Sequence, residues 1–383
     1  MRKLFTLTSA VVVIAILAAA CTQAGPAATV EVTREVPVTV VVVATPEGVP
    51  VEQPTQAPPA PAPGATGNRL QTVLDRGKLV CGVNTNLAGF GAPEGDSYAG
   101  FDADFCKALA AALFDDPTAV EWRPLSAQER FTALQAGEVD VLFRNTTWTI
   151  SRDTSVGMDF GPTTFYDGQG FMVPAALGAT SIEDLAGGTV CVQTGTTTEL
   201  NLNDAFASRG LEFTPVVFDD IDPTYAAYAA EQCDAVTSDI SQLVGRRSAL
   251  PNPDEHVILD NVISKEPLGP VVAQGDSQWR DVVSWVVFGM ITAEELGIDS
   301  TNVDTFLTST DPNVVRLLGL DPEAKLGQGL GLTDDFMVRV IRHVGNYGEV
   351  YDRNLGPDTP LNIPRVLNAL WTNGGLIYAP PIR

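Results

Sequence analysis

KLVCGV (Lys78–Val83), GFDADFCKALAAALF (Gly100–Phe114) and VDVLFR (Val139–Arg144) are the segments whose reading decides the fold. The first is a short apolar run of strand length. The second places Phe101, Phe105, Leu109 and Leu113 at helical spacing. Between them and the third segment, Ser126-Ala-Gln-Glu129 has the form of a capping box and opens a helix that stops at Gly137. VDVLFR then returns to strand. Strand alternating with helix in this way predicts an α/β fold with a largely parallel sheet.

The same plan begins again downstream. Ser181–Leu185 suits a helix start and TVCVQ (Thr189–Gln193) a strand, with a helix opening near Thr197 after a Gly-Thr-Thr-Thr turn. TPVVF, TYAAYAAEQC and DAVTSD continue as strand, helix and strand. EPLGPVVAQG (Glu266–Gly275) reads as an extended return, followed by an amphipathic helix over about Trp279–Glu295. Thr301–Arg383 reads only as mixed helix and loop. GQGLGL (Gly327–Leu332) lacks the spacing of a phosphate loop and has no preceding strand. Two α/β units of similar size are therefore expected, without an exact repeat.

Upstream of this folded part, Arg2 and Lys3 precede an apolar run to Ala20, and small residues lead to Cys21, which reads as a secretory signal peptide over 1–21. Its about 11 apolar residues fall short of the roughly 20 that span a bilayer. The pattern also resembles a lipobox with Cys21 as the lipidated residue. It departs from that pattern at Ala18, because Leu17 stands one place early. Residues 22–68 are rich in Pro, Ala, Thr and Val and end in PTQAPPAPAPGATGN, the composition of an extended spacer that tethers a folded part to a membrane.

The net charge of −24 argues against nucleic acid as a partner, since phosphate binding needs clustered Lys and Arg. The two histidines, His256 and His343, lie without metal-ligand spacing, so a zinc site or serine–histidine chemistry has little support, and no cofactor is implied. Cys21 aside, Cys81, Cys106, Cys191 and Cys233 form an even set in an exported chain. Two disulfides are expected, with three connectivities open.

RNTTWTISRDTSVGMDF, QTGTTTELN, CDAVTSD and ISKEPLGP, with the closing WTNGGLIYAPPIR, resemble the polar amino-acid-binding proteins of ATP-driven importers. The broad-specificity general L-amino-acid subgroup is the most similar, over nearly all of Arg69–Arg383. The resemblance implies a two-lobed periplasmic-binding-protein-like fold of type II. Lobe 1 would comprise 69–172 and 271–383 and lobe 2 173–270, with hinge crossings near Gly170–Pro174 and Glu266–Val272. It implies free L-amino acids as ligands, and an ABC permease with its ATPase as partners.

A free amino acid carries a carboxylate and an ammonium close together, so holding both out of water calls for a bidentate cation and an anion. By the resemblance, Arg152 meets the carboxylate together with Thr147, Asn145 and Thr147 supply oxygens to the ammonium, and Trp148 forms an aromatic wall. Thr196 and Thr197 at a helix start offer N–H groups suited to a carboxylate, and Asp239 pairs with the ammonium. Read alone, Arg152 is a helix-start arginine paired with Asp153, Thr196 an ordinary cap, and Asp239 an N-cap for the helix from Ile240. In the side-chain pocket Asn84, Leu87 and Ala127 replace the aspartate and aromatics of selective relatives, which points to a broad choice of ligand.

Closure about a hinge is a property of the resembled family. A bond between the units would lock that hinge, so within this reading the pairs become Cys81–Cys106 and Cys191–Cys233. The rivals on the same fold are a ligand-sensing ectodomain and an exported dehydratase or lytic transglycosylase.

Overall fold

Two five-stranded sheets grow from the two α/β units, and each repeats one strand order. The computed structural model describes residues 67–383, so the signal-peptide, Cys21 and nearly all of the tether readings lie outside the described residues. In the first sheet the order is Val120–Pro124, Leu79–Val83, Val141–Leu142, Val271–Ala273, Met158–Phe160. In the second it is Thr214–Phe218, Thr189–Gln193, Ala235–Asp239, Gln169–Pro174, His256–Ile258. The leading three strands of each are parallel. The fourth runs against its neighbours.

That reversed strand has one origin in both sheets: it is the first strand after the chain changes lobe. The crossings are Phe165–Asp167 and Glu266–Leu268, which pair antiparallel as a two-stranded ribbon with Tyr166 opposite Pro267. Gln169–Pro174 lies wholly in the second sheet. The ribbon strand Phe165–Asp167 thus precedes Gly170–Pro174, which pairs within the second sheet. A strand of three residues followed by one of six reads, in sequence, as one extended segment.

Helix Phe101–Phe114 follows the predicted spacing but is buried almost all round. Leu79 and Val83 lie beneath it, and the C-terminal segment covers the rest. Met337, Ile341, Tyr347 and Tyr351 join the same core, and the Phe101 ring meets those of Tyr347 and Tyr351 edge-on at 5.9 Å each. Residues 301–383 thus complete the first lobe. Their helices, such as Phe336–His343 and Tyr347–Leu355, are too short to show a period in sequence.

Cys81–Cys106 ties the first strand to this helix at a Cα separation of 6.2 Å, and Cys191–Cys233 spans 5.7 Å in the second lobe. Each bond stays within one lobe. Closing chain segments of 25 and 42 residues stabilises the fold by roughly 3–4 kcal/mol each in the chain-entropy account. The double substitution Cys191→Ser with Cys233→Ser is expected to lower the denaturant-measured unfolding free energy on this scale while leaving ligand affinity unchanged. Unaltered stability would contradict it.

Candidate ligand-binding cleft

Ligands of open α/β sheets sit beyond the carboxyl ends of the strands, and the expected site residues gather there. After strand Val141–Leu142 the chain turns through Asn145, whose φ of +32° an asparagine tolerates better than most residues. Its N–H donates to Asp102 Oδ2 at 2.7 Å, and its side chain accepts from Asn84 Nδ2 at 2.9 Å. Asn145 Nδ2 in turn donates across the cleft to Gln242 Oε1 at 3.4 Å. Thr147 continues the strip, bridging to Leu268 of the second crossing, and Trp148 N–H donates to Pro267 O.

Arg152 is 7 % exposed. It is not paired with Asp153; its Nη1 donates to Thr147 O at 2.8 Å, and its guanidinium stands 5.2 Å from the Phe131 ring centre. Burial lowers its pKa, opposed by the carboxylates of Glu266 and Asp239. A second cation, absent from the sequence reading, stands beside it. Arg130 is 3 % exposed and lies 4.8 Å from the same ring, with only Thr146 Oγ1 near its Nη1 at 3.4 Å. Its Nε has no acceptor among the described residues. Burial first, then the charges of Arg144 and Arg152, pull Arg130 well below its ordinary pKa, and Asp239 opposes this.

The anions come from the second lobe and the crossings. Asp239 is buried at the start of helix Ile240–Ser248, yet its side chain caps nothing, and Oδ1 has no donor among the described residues. Burial, with Asp167 and Glu266 nearby, raises its pKa well above the carboxylate range, while Arg152 and Arg130 counter the rise. Asp167, half-buried on the first crossing, is pushed up to about 6 by desolvation, against hydrogen bonds from Ser241 and Gly168. Glu266 is satisfied instead: Thr147, Thr197, Asn201 and Ser264 all donate to it, at 2.5 to 2.9 Å. It lies in ISKEPLGP, and nothing in that motif by itself marks its role.

The lobes touch along this gap. Thr147 Oγ1 lies 3.4 Å from Thr197 Oγ1, and Arg246 Nη2 donates to Asn86 O at 2.6 Å. Leu87 is buried in the first lobe and reaches Gly245 of the second, where a Cβ would lie 3.5 Å from Leu87 Cδ1 and 3.0 Å from Ala88 O. Thr196 spends its hydroxyl on the cap, accepting from Glu199 N–H and donating to Gln193 O. Trp148 is 45 % exposed and stacks on Phe160 at 5.6 Å, while Phe131 is the ring beside Arg152. His256 and His343 pair elsewhere, with Tyr228 and Asp115.

Two α/β lobes joined by paired crossing strands, with buried charges of both signs facing the gap, define a two-lobed solute-binding protein. Residues 79–297 match the bacterial extracellular solute-binding proteins, family 3, and the chain belongs to that family. It is 54 % identical over 84 % of its length to the general L-amino acid-binding periplasmic protein AapJ of Rhizobium johnstonii, covering 95 % of that protein. It is 49 % identical to the glutamate/glutamine/aspartate/asparagine-binding protein BztA of Rhodobacter capsulatus over 84 % of this chain and 95 % of BztA. A periplasmic binding protein from Brucella ovis, solved with glutathione bound, superposes with a TM-score of 0.81. The identity is 52 %, over 83 % of this chain and all of the other. A cysteine-binding protein from Campylobacter jejuni, 21 % identical over 64 % of this chain and 97 % of the other, shares the fold with a TM-score of 0.54. The protein is an extracytoplasmic binding component and not an enzyme.

Asp102, which holds the Asn145 turn, supplies a pH test. Burial raises it to about 7, against the Asn145 hydrogen bond and the Arg144 charge. Between the ordinary carboxylate value near 4 and about 7 the folded state keeps a proton that the unfolded state has lost, so stability falls as pH rises through that window. Asp102→Asn is expected to flatten this part of the Tm–pH curve, measured by calorimetry. An unchanged slope would contradict the assignment.

Proposed function

We propose that the protein is the substrate-binding component of an amino-acid ABC transporter, capturing free L-amino acids and passing them to a permease driven by its ATPase. The observation that carries the reading is the opposition of Arg152 and Asp239. They belong to different lobes, are both buried, and lie close enough for each to shift the other's ionisation. An α-carboxylate on Arg152 and an α-ammonium on Asp239 would compensate both charges at once, and a ligand held from both sides favours the closed arrangement over an open one.

Thr147 and Thr197 would add hydroxyl and N–H contacts, and Asn84 and Asn145 the polar floor. Leu87 and Ala127 impose no charge on the side-chain pocket. Arg130 adds something the neutral pocket does not, a second buried cation with an unpaired Nε. It favours acidic and amide side chains over basic ones within a broad range, in keeping with the ligands in the name of BztA. The glutamyl end of glutathione carries the same free α-carboxylate and α-ammonium, so γ-glutamyl peptides belong among the candidates.

The N-terminal sequence supports export by the signal peptide over 1–21, an anchor through lipidated Cys21, and a spacer that holds the binding lobes off the membrane. No helix among the described residues is long and apolar enough to cross a membrane.

Arg152→Ala is expected to cost roughly 2–5 kcal/mol of affinity for every amino-acid ligand, the range for truncating one partner of a buried charge pair. Arg130→Ala is expected to narrow the advantage of glutamate over alanine instead. Titration calorimetry with glutamate, glutamine, alanine, arginine and glutathione separates the two effects. Undiminished binding by the Arg152 variant would overturn the reading.

A further inference from the structure

Residues 298–383 lie beyond the 79–297 stretch that matches the family, and one of them grips a crossing strand. Asn368, 4 % exposed, uses both halves of its carboxamide on the backbone of Tyr166. Tyr166 N–H donates to Oδ1 at 2.6 Å, and Nδ2 donates to Tyr166 O at 3.1 Å. Opposite Tyr166 on the ribbon stands Pro267, which has no N–H to offer. The side chain therefore does for the outer edge of this strand what a neighbouring strand would do.

The grip is itself anchored to lobe 1. Arg365 Nε donates to Asn368 O at 3.0 Å, and Asn368 N–H donates back to Arg365 O at 2.6 Å. The Arg365 guanidinium makes a two-pronged pair with Glu294 at 2.5 and 3.1 Å and lies 5.2 Å from the Tyr347 ring centre. Tyr347 Oη donates to Thr164 O at 2.8 Å, just before the crossing. Thr164 to Tyr166 are thus fixed to the first lobe on the C-terminal side. Immediately beyond, Gly168 has no room for a side chain, because a Cβ there would strike Val262 and the Ser264 carbonyl.

We propose that the C-terminal segment is a hinge clamp. Asn368 holds Tyr166 as part of lobe 1, confines the pivot to Asp167–Gly168, and thereby limits how far and how fast the lobes separate. A strand held at both edges cannot absorb rotation along its length, whereas one released at Tyr166 can. Asn368 acts through the hinge and touches no ligand, so its effect should be seen in motion as well as in affinity.

The test is the interlobe distance distribution of the full-length, ligand-free protein, read by spin labels at Thr118→Cys in lobe 1 and Glu212→Cys in lobe 2, both exposed. Asn368→Ala is expected to broaden the distribution toward longer distances and to speed ligand dissociation about three- to tenfold, the scale of losing buried hydrogen bonds. Tyr347→Phe keeps the ring and removes only the bond to Thr164. It is expected to shift both readouts in the same direction by less, and it carries the test if Asn368→Ala does not fold. Since the distances are read without ligand, they do not depend on which solute the cleft takes. A distribution in either folded variant that matches the parent overturns the clamp.

Discussion

A carboxylate withdrawn from water without a donor is among the costliest groups a protein can hold, and the arrangement of the cleft turns on one. Asp239 is enclosed at the end of a second-lobe strand, caps no helix, and sees the acids Asp167 and Glu266 on one hand and the cations Arg152 and Arg130 on the other. Neither set is placed to satisfy it by a direct hydrogen bond among the described residues. Glu266, on the second crossing strand, shows the contrast, since four donors surround it. One acid is part of the framework, and the other is the one that the proposed function pairs with a ligand's ammonium.

The fold supplies that position cheaply. Each sheet delivers its candidate site residues from the end of a parallel strand, and a reversed strand follows each crossing. The strip Asn145–Trp148 is bonded to the second crossing on one side and faces Thr197 and Gln242 on the other. The candidate site strip and the crossing strands are therefore joined in one hydrogen-bonded ribbon, and the C-terminal segment grips the opposite edge of that ribbon at Tyr166.

Much of the fold was legible because local signals agreed with it. TVCVQ and TPVVF are strands over the residues read, and the Ser126–Glu129 capping box forms with both reciprocal bonds. Where the fold was missed, tertiary structure had overridden local pattern. VDVLFR shortens to Val141–Leu142 as the chain bends toward the cleft, and the helix read over TYAAYAAEQC ends early at Ala229, just before Glu231 with its φ of +57°. The charged residues of the site divide similarly. Arg152 and Asp239 stand in motifs whose resemblance names a role for them, whereas Arg130 sits in ordinary helical sequence and Glu266 in a quoted motif that marks no role, and only the packing reveals that they lie near the same buried charges.

The most direct measurement is a crystal structure of the protein grown with glutamate or alanine. The account predicts one ligand between the lobes, its α-carboxylate on the Arg152 guanidinium and its α-ammonium within hydrogen-bond distance of Asp239. A ligand seated elsewhere, or bound with Asp239 left untouched, would contradict it.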